Sequence, residues 1–260
     1  MRQIEIISCI ADKTWVNEVI DAGADALYCG LMNKSWFNTC IELTWEELLE
    51  VSEVVHRLGK KIYLAINRNL STEDVDEVSE YIAFFENGTF DGVILSDWGC
   101  INALRKLSTK IHIHLSANTG CVNEWDFKLA QEMKVQRIIF SPSLDYEYIS
   151  SVIERYKGFE WEAITYGMQC MNEVGYCPCH ASFSGATFDN VCCHSFGLYN
   201  EDQLITEERP YGNSVSNGSS ARKLYELGVN HFKLEGRSKG LKHIEKGTRI
   251  LRNIADNIQE

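Results

Sequence analysis

Short apolar runs alternate along this chain with longer stretches whose apolar residues recur every third or fourth position, the two periods that separate buried strands from amphipathic helices. The β-rich runs are residues 5–8, 26–29, 61–66, 92–96, 111–115, 137–140, 161–165 and 231–234, eight in all. Between them the spacing predicts eight helices, near residues 15–22, 45–58, 72–85, 99–108, 124–134, 146–156, 219–227 and 241–258. Thr44-Trp-Glu-Glu and Ser71-Thr-Glu-Asp each put a hydroxyl ahead of carboxylates, which suits the orphan backbone N–H groups and the dipole of a helix start. Gly23, Gly59 and Gly228 stand where a helical pattern stops and a strand begins, the usual place of a left-handed cap. Eight strand–helix units in 260 residues predict an α/β fold, a (β/α)8 TIM-type barrel with a long cysteine-rich loop after strand seven, as one domain over residues 1–260. An open doubly wound sheet is the alternative, and neither GxGxxG nor GxxxxGK is present to support its nucleotide-binding version.

Barrels of this type build their sites at the C-terminal ends of the strands. That rule selects Cys9, Cys29 with Gly30, Asn67 with Arg68, Ser96 with Asp97, Ser116 with Asn118, Ser141, Tyr166 with Gly167, and Glu235 with Arg237. Glu235 and Arg237, at the mouth of the last strand, suit binding of an anionic substrate or proton donation; the plainer reading is an ion pair that closes the barrel. Lys233 alternates with them and is expected to point into the interior, where a lysine needs a partner. His112 and His114 share one face of the fifth strand, and His114, taken as the one nearer the mouth, is the third catalytic candidate against the blander reading of a satisfied core histidine. Asn67, Arg68, Asp97 and Asn118 are candidate substrate contacts.

The stretch after the seventh strand, YGMQCMNEVGYCPCHASFSGATFDNVCCHSF, falls on that same face and holds five of the ten cysteines. No hydrophobic period there would bury them as core residues. The N-terminal MRQIEIISCI has neither a basic leader nor a long apolar run, so a cytoplasmic protein without a membrane span is expected. In a reducing compartment, ten crowded cysteines favour metal or redox use over a disulfide framework. The formal net charge of -12 is spread over helix faces, and only Arg222 with Lys223 and residues 237–246 approach a positive surface. A nucleic-acid substrate is therefore allowed but not signalled.

Cys170 and Cys177 lie seven apart, Cys179 follows, and Cys192 with Cys193 returns after a polar excursion. Thiolates gathered from an irregular loop suit zinc or an iron-sulfur cluster, and the lack of any CxxC unit leans toward iron-sulfur. The ligand set expected is Cys170, Cys177 and one or both of Cys192 and Cys193, with Cys179 in reserve and Cys40 able to reach across. His180 and His194 flank the set as ligands or proton carriers, or as ordinary loop histidines.

Several segments together resemble peptidase family U32. Glu162-Ala-Ile-Thr-Tyr-Gly167-Met-Gln-Cys170, followed by Gly175-Tyr-Cys177, is similar to the family's signature segment. Residues 22–30, AGADALYCG, are similar to its second-strand motif, residues 114–123, HLSANTGCVN, to its fifth, and Phe232-Lys-Leu-Glu-Gly-Arg237 to its eighth. The resemblance covers nearly the whole chain. The family's name implies a peptidase, yet neither a Ser/His/Asp arrangement nor HExxH is visible in this sequence. Other branches imply oxygen-independent hydroxylation of ubiquinone precursors or RNA bases by iron-sulfur proteins, with prephenate as a hydroxyl donor. Carried across by motif, Cys170, Cys177 and Cys193 fall on cluster-ligand positions.

Two departures stand out. No cysteine follows Cys193, so a fourth ligand falls to Cys179, Cys192 or Cys40, and Ser141-Pro-Ser143 replaces the Arg-Glu usual after strand six. The expectation that results is an iron-sulfur redox enzyme, with a four-iron four-sulfur cluster, acting on a small aromatic or a nucleobase. The alternatives are a U32-type peptidase, or a non-catalytic subunit bearing a cluster or zinc beside a homologous partner.

Overall fold

The computed structural model describes residues 2–35, 42–167, 196–200, 202–208, 215–216 and 218–260. Its strands, in chain order, are β1 (Glu5–Cys9), β2 (Ala26–Gly30), β3 (Lys61–Ile66), β4 (Gly92–Leu95), β5 (Ile113–Leu115), β6 (Arg137–Ile139), β7 (Glu160–Gly167), β8 (Phe196–Asn200), β9 (Gln203–Glu208), β10 (Val215–Ser216) and β11 (His231–Leu234). Strands β1 to β7 pair in parallel in chain order, and β11 joins β7 to β1, so eight strands close on themselves. The helices are α1 (Val16–Asp21), α2 (Trp45–Arg57), α3 (Thr72–Glu80), α4 (Ile82–Glu86), α5 (Trp98–Leu107), α6 (Glu124–Glu132), α7 (Tyr146–Arg155), α8 (Gly218–Leu227) and α9 (Leu241–Gln259). None of the described helices is long and apolar enough to cross a membrane.

The capping chemistry read from the sequence is in place: Thr44 with Glu47, and Ser71 with Asp74, form complete capping boxes. Gly23, Gly59 and Gly228 all take positive φ at the helix-to-strand turns. The helix predicted over residues 72–85 breaks at Tyr81, whose ring stacks on Trp45 with centroids 3.9 Å apart. Aromatic packing between neighbouring helices thus overrides a continuous helical period. The antiparallel hairpin of β8 and β9, and the short β10 that pairs with the end of β7, were not expected from the sequence.

Helix α9 covers β1 and β11, with the Thr248 hydroxyl hydrogen-bonded to that of Ser8. The approach is close because residue 247 is glycine: a Cβ there would lie 2.5 Å from Leu234 Cδ1 and 2.7 Å from Tyr166 Cε1. Ser8 faces the helix layer, so Glu5, Ile7 and Cys9 face the barrel interior.

That interior is charged at its N-terminal end. Arg137, 2% exposed, donates through Nε to Glu160 at 2.7 Å and through Nη1 to Glu5 and Glu162, each at 3.1 Å. Its Nη2 reaches the Tyr63 hydroxyl at 3.4 Å, and that hydroxyl in turn donates to Glu5. Burial works against the charge of Arg137, but Glu162, Tyr63, Glu5 and Glu160 outweigh it and hold the guanidinium protonated. Lys61 closes the ring from the rim, 2.7 Å from Glu5.

His114 belongs to this layer and not to the mouth. It pairs in register with Arg137, is fully buried, and shares a hydrogen bond of 2.9 Å with His112 while its ring tilts against Tyr63. Burial first, and then the positive charge of Arg137, push its pKa well below the ordinary value, so it stands as a neutral core imidazole. Its place in the interior removes the reason for which it was singled out.

Removing Arg137 takes away the cation that Glu5, Glu160 and Glu162 share, and leaves the fully buried Glu162 with Lys233 as its remaining ion-pair partner among the described residues. Arg137→Ala is expected to cost about 3–5 kcal/mol in urea-unfolding free energy; a loss below about 1 kcal/mol, the scale of an exposed pair, would contradict this account of the barrel floor.

Candidate functional site at the barrel mouth

Three residues of one strand and its extension climb from the charged floor to the mouth. Lys233 and Glu235 lie two apart and project to the same side, and Arg237 begins the helical turn that follows. Lys233, 7% exposed, donates from Nζ to Glu162 Oε1 at 3.0 Å, which is the partner its interior position demanded. The same ammonium lies 4.2 Å over the centroid of the Tyr28 ring, and the Arg237 guanidinium lies 5.6 Å from that centroid. The hydroxyl of Tyr28 donates to the Leu234 carbonyl at 3.1 Å, which fixes the ring near the two cations.

Arg237 is seated by glycine and serine. A Cβ at Gly30 would fall 2.3 Å from its Nη1, and that nitrogen donates to Ser35 Oγ at 3.3 Å. Ser35 donates in turn to Glu42, whose other oxygen accepts from the Asn33 backbone at 3.0 Å. Burial raises the Glu42 pKa, and the Ser35 hydrogen bond and Arg237 pull against that rise.

Burial shifts Glu235 and Lys233 in opposite directions. Burial raises the half-buried Glu235 from the ordinary 4.5 to about 6, with Arg237 and Lys233 opposing the rise. A carboxyl with that value exchanges its proton near neutral pH. Lys233 is lowered by its burial, against the pull of Glu162 and with the help of Arg237 and Arg137. Cys9 and Cys29, both at strand ends, are fully buried with thiols pushed up to about 12 by desolvation, so they are packed sulfhydryls and not thiolates.

Other residues selected by strand position serve the loops. Asp97 caps α5 through the Cys100 backbone at 2.8 Å and also accepts from the Leu70 backbone at 3.3 Å. Asn118 donates to the Asn67 carbonyl at 3.1 Å, and Arg68 stands 3.5 Å from Asp74. Ser116 accepts from the Asn118 backbone, Ser141 bonds Ser143 at 2.8 Å, and Ser96 Oγ is buried without a hydrogen-bond partner in the structure described. Tyr166 points outward. The register of β7 against β11 slips after Lys233, leaving Thr165 as the extra residue, and the slip turns the Tyr166 ring toward His243 of α9.

The cysteine calls, Cys170, Cys177, Cys179, Cys192, Cys193 and Cys40, and the flanking His180 and His194, all lie outside the described residues. Among the described residues, no three His, Cys, Asp or Glu side chains gather where a metal ion could be held. What the structure does describe is where the cysteine-bearing segment departs. Gly167, the last residue of β7, abuts Glu235 so closely that a Cβ would meet the glutamate Cβ at 2.6 Å.

Sequence reasoning missed Tyr28, Ser35 and Glu42 at the mouth and the Arg137 cluster below. Part of the signal was present. Glu160 and Glu162, like His231, Lys233 and Glu235, are polar residues at alternate positions of otherwise apolar strands, the period of one strand face.

A family model described as Peptidase family U32 matches residues 12–260. An uncharacterized protease of Methanocaldococcus jannaschii is 26% identical over 99% of this chain and 66% of its own length. The tRNA hydroxylation protein P of Helicobacter pylori is 25% identical over 99% of this chain and 65% of its own. A 23S rRNA 5-hydroxycytidine synthase of Escherichia coli is 23% identical over 99% of this chain and 40% of its own. The chain thus spans 66% or less of the length of these relatives. The solved structure of the U32 peptidase Mk0906 superposes with a TM-score of 0.62 at 12% identity, covering 91% of this chain and 94% of that one, which supports the fold.

Glu235 gives a pH test with a definite sign. A carboxyl raised from 4.5 to about 6 on folding costs nothing where both states are protonated, and costs its full penalty, at most about 2 kcal/mol, where both are ionised. Glu235→Gln is therefore expected to leave the melting temperature nearly unchanged at about pH 4 and to raise it at about pH 8. Equal shifts at both pH values, followed by calorimetry, would rule out the raised carboxyl.

Proposed function

This chain belongs to peptidase family U32, and on that footing we propose that it is an enzyme which hydroxylates a nucleobase in RNA without molecular oxygen, aided by an iron-sulfur cluster. The observation that carries the reading is the contact of Gly167 with Glu235. It sets the root of the cysteine segment against a carboxyl that titrates near neutral pH and beside an arginine fit to hold an anion. The names of the Helicobacter and Escherichia relatives, a tRNA hydroxylation protein and an rRNA hydroxycytidine synthase, supply the substrate class.

A donor set of Cys170, Cys177, Cys192 and Cys193 is all sulfur, which fits a four-iron four-sulfur cluster and fits zinc less selectively. When bound, such a cluster supplies single electrons or a Lewis-acidic iron. The chain's own residues supply the rest. Arg237, seated on Tyr28 and Ser35, binds a carboxylate or phosphate oxygen with its planar fork of donors. Glu235 gives a proton to, or takes one from, an oxygen of the reacting group, since it is protonated and ionised in comparable amounts near pH 6. Steering of RNA falls to a local basic patch because the whole chain is acidic: the exposed Lys239, Lys242 and Lys246 lie in the turn and helix that follow β11.

The test combines metal analysis with nucleoside mass spectrometry. Anaerobically purified protein is expected to be brown and to carry iron and acid-labile sulfide, and both should be lost in Cys170→Ser and Cys177→Ser. RNA from cells lacking the gene should lose a hydroxylated nucleoside that the wild-type gene restores and these variants do not. Stoichiometric zinc without iron, or gelatin cleavage that survives removal of every loop cysteine, would overturn the proposal in favour of a zinc-bearing subunit or a peptidase.

A further inference from the structure

We infer that Ser96 is a specificity-determining residue that holds the uncharged polar edge of a nucleobase, on the side of the barrel mouth opposite Glu235 and Arg237. The inference deepens the reading above and rests on it for the class of ligand.

The ring of strands runs from β1 to β7 and closes through β11, so β4 stands four strands from β11 in either direction. Ser96, the residue directly past β4, is therefore set across the barrel from Glu235, the residue directly past β11. Its direction follows from alternation. A Cβ at Gly92 would lie 2.6 Å from Nε2 of the interior His114, so Gly92, Ile94 and Ser96 face inward. On β5 the same holds for His114 and Ser116, where the Ser116 N–H extends the ladder to the Leu95 carbonyl at 2.8 Å. By the same period Asn67 faces inward past β3, in step with Tyr63, and Ser141 past β6, in step with Arg137. This arc of the mouth is polar and uncharged. The carboxylate of Asp97, next in the chain, is taken up by the backbone N–H groups of Cys100 and Leu70.

Two observations point to a ligand. Bulky side chains normally fill the inward positions of such barrels, and Ile94, His114 and Ile139 do so in the layer below, yet serine stands above each of them. Ser96 is 6% exposed, and its Oγ has no hydrogen-bond partner among the described residues. A hydroxyl in that state carries a desolvation cost that nothing in the fold recovers. Thr119, in the turn after β5, and Thr165, near the end of β7, carry the other orphaned buried hydroxyls, so unmet groups of this kind gather at the mouth end. A hydroxyl both donates and accepts, which suits the N–H and C=O groups along a base edge. A phosphate or carboxylate in the same place would be buried without a counter-charge. The two sides of the mouth thus sort the two ends of a nucleotide, anion to Arg237 and base to Ser96. An enzyme that reacts at a base draws it out of its stack and reads that edge.

The experiment titrates anaerobically purified protein with the ribonucleoside 5′-monophosphates and with ribose 5-phosphate, which keeps the anion and lacks the base, and reads affinity by calorimetry. At least one mononucleotide should bind wild-type protein about tenfold more tightly than ribose 5-phosphate, and Ser96→Ala should remove most of that advantage while leaving ribose 5-phosphate unchanged. Arg237→Ala should weaken both ligands alike. Without ligand, Ser96→Ala should melt at or above the wild-type temperature, because it deletes a hydroxyl that no protein group satisfies. A melting temperature lowered by the substitution would mark Ser96 as structural and overturn the inference. So would a mononucleotide advantage missing from the wild type, or one that Ser96→Ala leaves intact because the hydroxyl holds only water. Nucleoside analysis of cellular RNA separates the two claims. Hydroxylation with mononucleotide binding indifferent to Ser96 sinks this one alone, and Ser96-dependent binding without a hydroxylated nucleoside sinks the hydroxylation reading alone.

Discussion

A carboxylate with no exposure to solvent, Glu162, holds the barrel together along its axis. From one side it accepts Arg137 at 3.1 Å and from the other Lys233 at 3.0 Å, so the charged floor and the reactive mouth share one anion. An ionised carboxylate in such a place is tolerable only while its partners hold their positions. Specificity of arrangement follows from that intolerance. Strands β6, β7 and β11 cannot slide past one another without leaving a charge unpaired, and their register fixes where Glu235 and Arg237 emerge.

The mouth inherits this order through a short chain of local causes. Tyr28 is pinned by its hydrogen bond to Leu234 and offers one ring to two cations. Gly30 leaves the room that Arg237 occupies, and Ser35 and Glu42 steady the guanidinium from the loop after β2. The register slip at Thr165 sends Tyr166 into the helix layer and lets Gly167 pass against Glu235. Positions on the same strand therefore have opposite tasks, packing on one side of the slip and site geometry on the other.

The fold was legible because it is written in period. Apolar runs and helical spacing gave each barrel strand, two capping boxes gave helix starts, and glycines gave the turns. What escaped was long-range. The break at Tyr81 depends on Trp45, some thirty-six residues away, and no local window contains both. His114 was read by its place along one strand, whereas its surroundings are set by Arg137 and Tyr63 on two others. Glu235, Arg237 and the inward lysine were legible because alternation on a strand and the barrel's preference for one active face both act locally. Tyr28 was not, since its value lies in two cations supplied from elsewhere in the chain.

The tight seat of α9 at Gly247 gives the mouth a handle on its outer wall. A methyl group added there would press on Leu234 and Tyr166, the neighbours of Glu235 and Gly167. Pressure from the helix layer would thus travel through a tyrosine ring to the very point where the cysteine-bearing segment takes off. A residue outside the mouth is in this way a lever on how Gly167 and Glu235 sit against each other, and the route by which drift in the last helix could shift that contact without altering either residue.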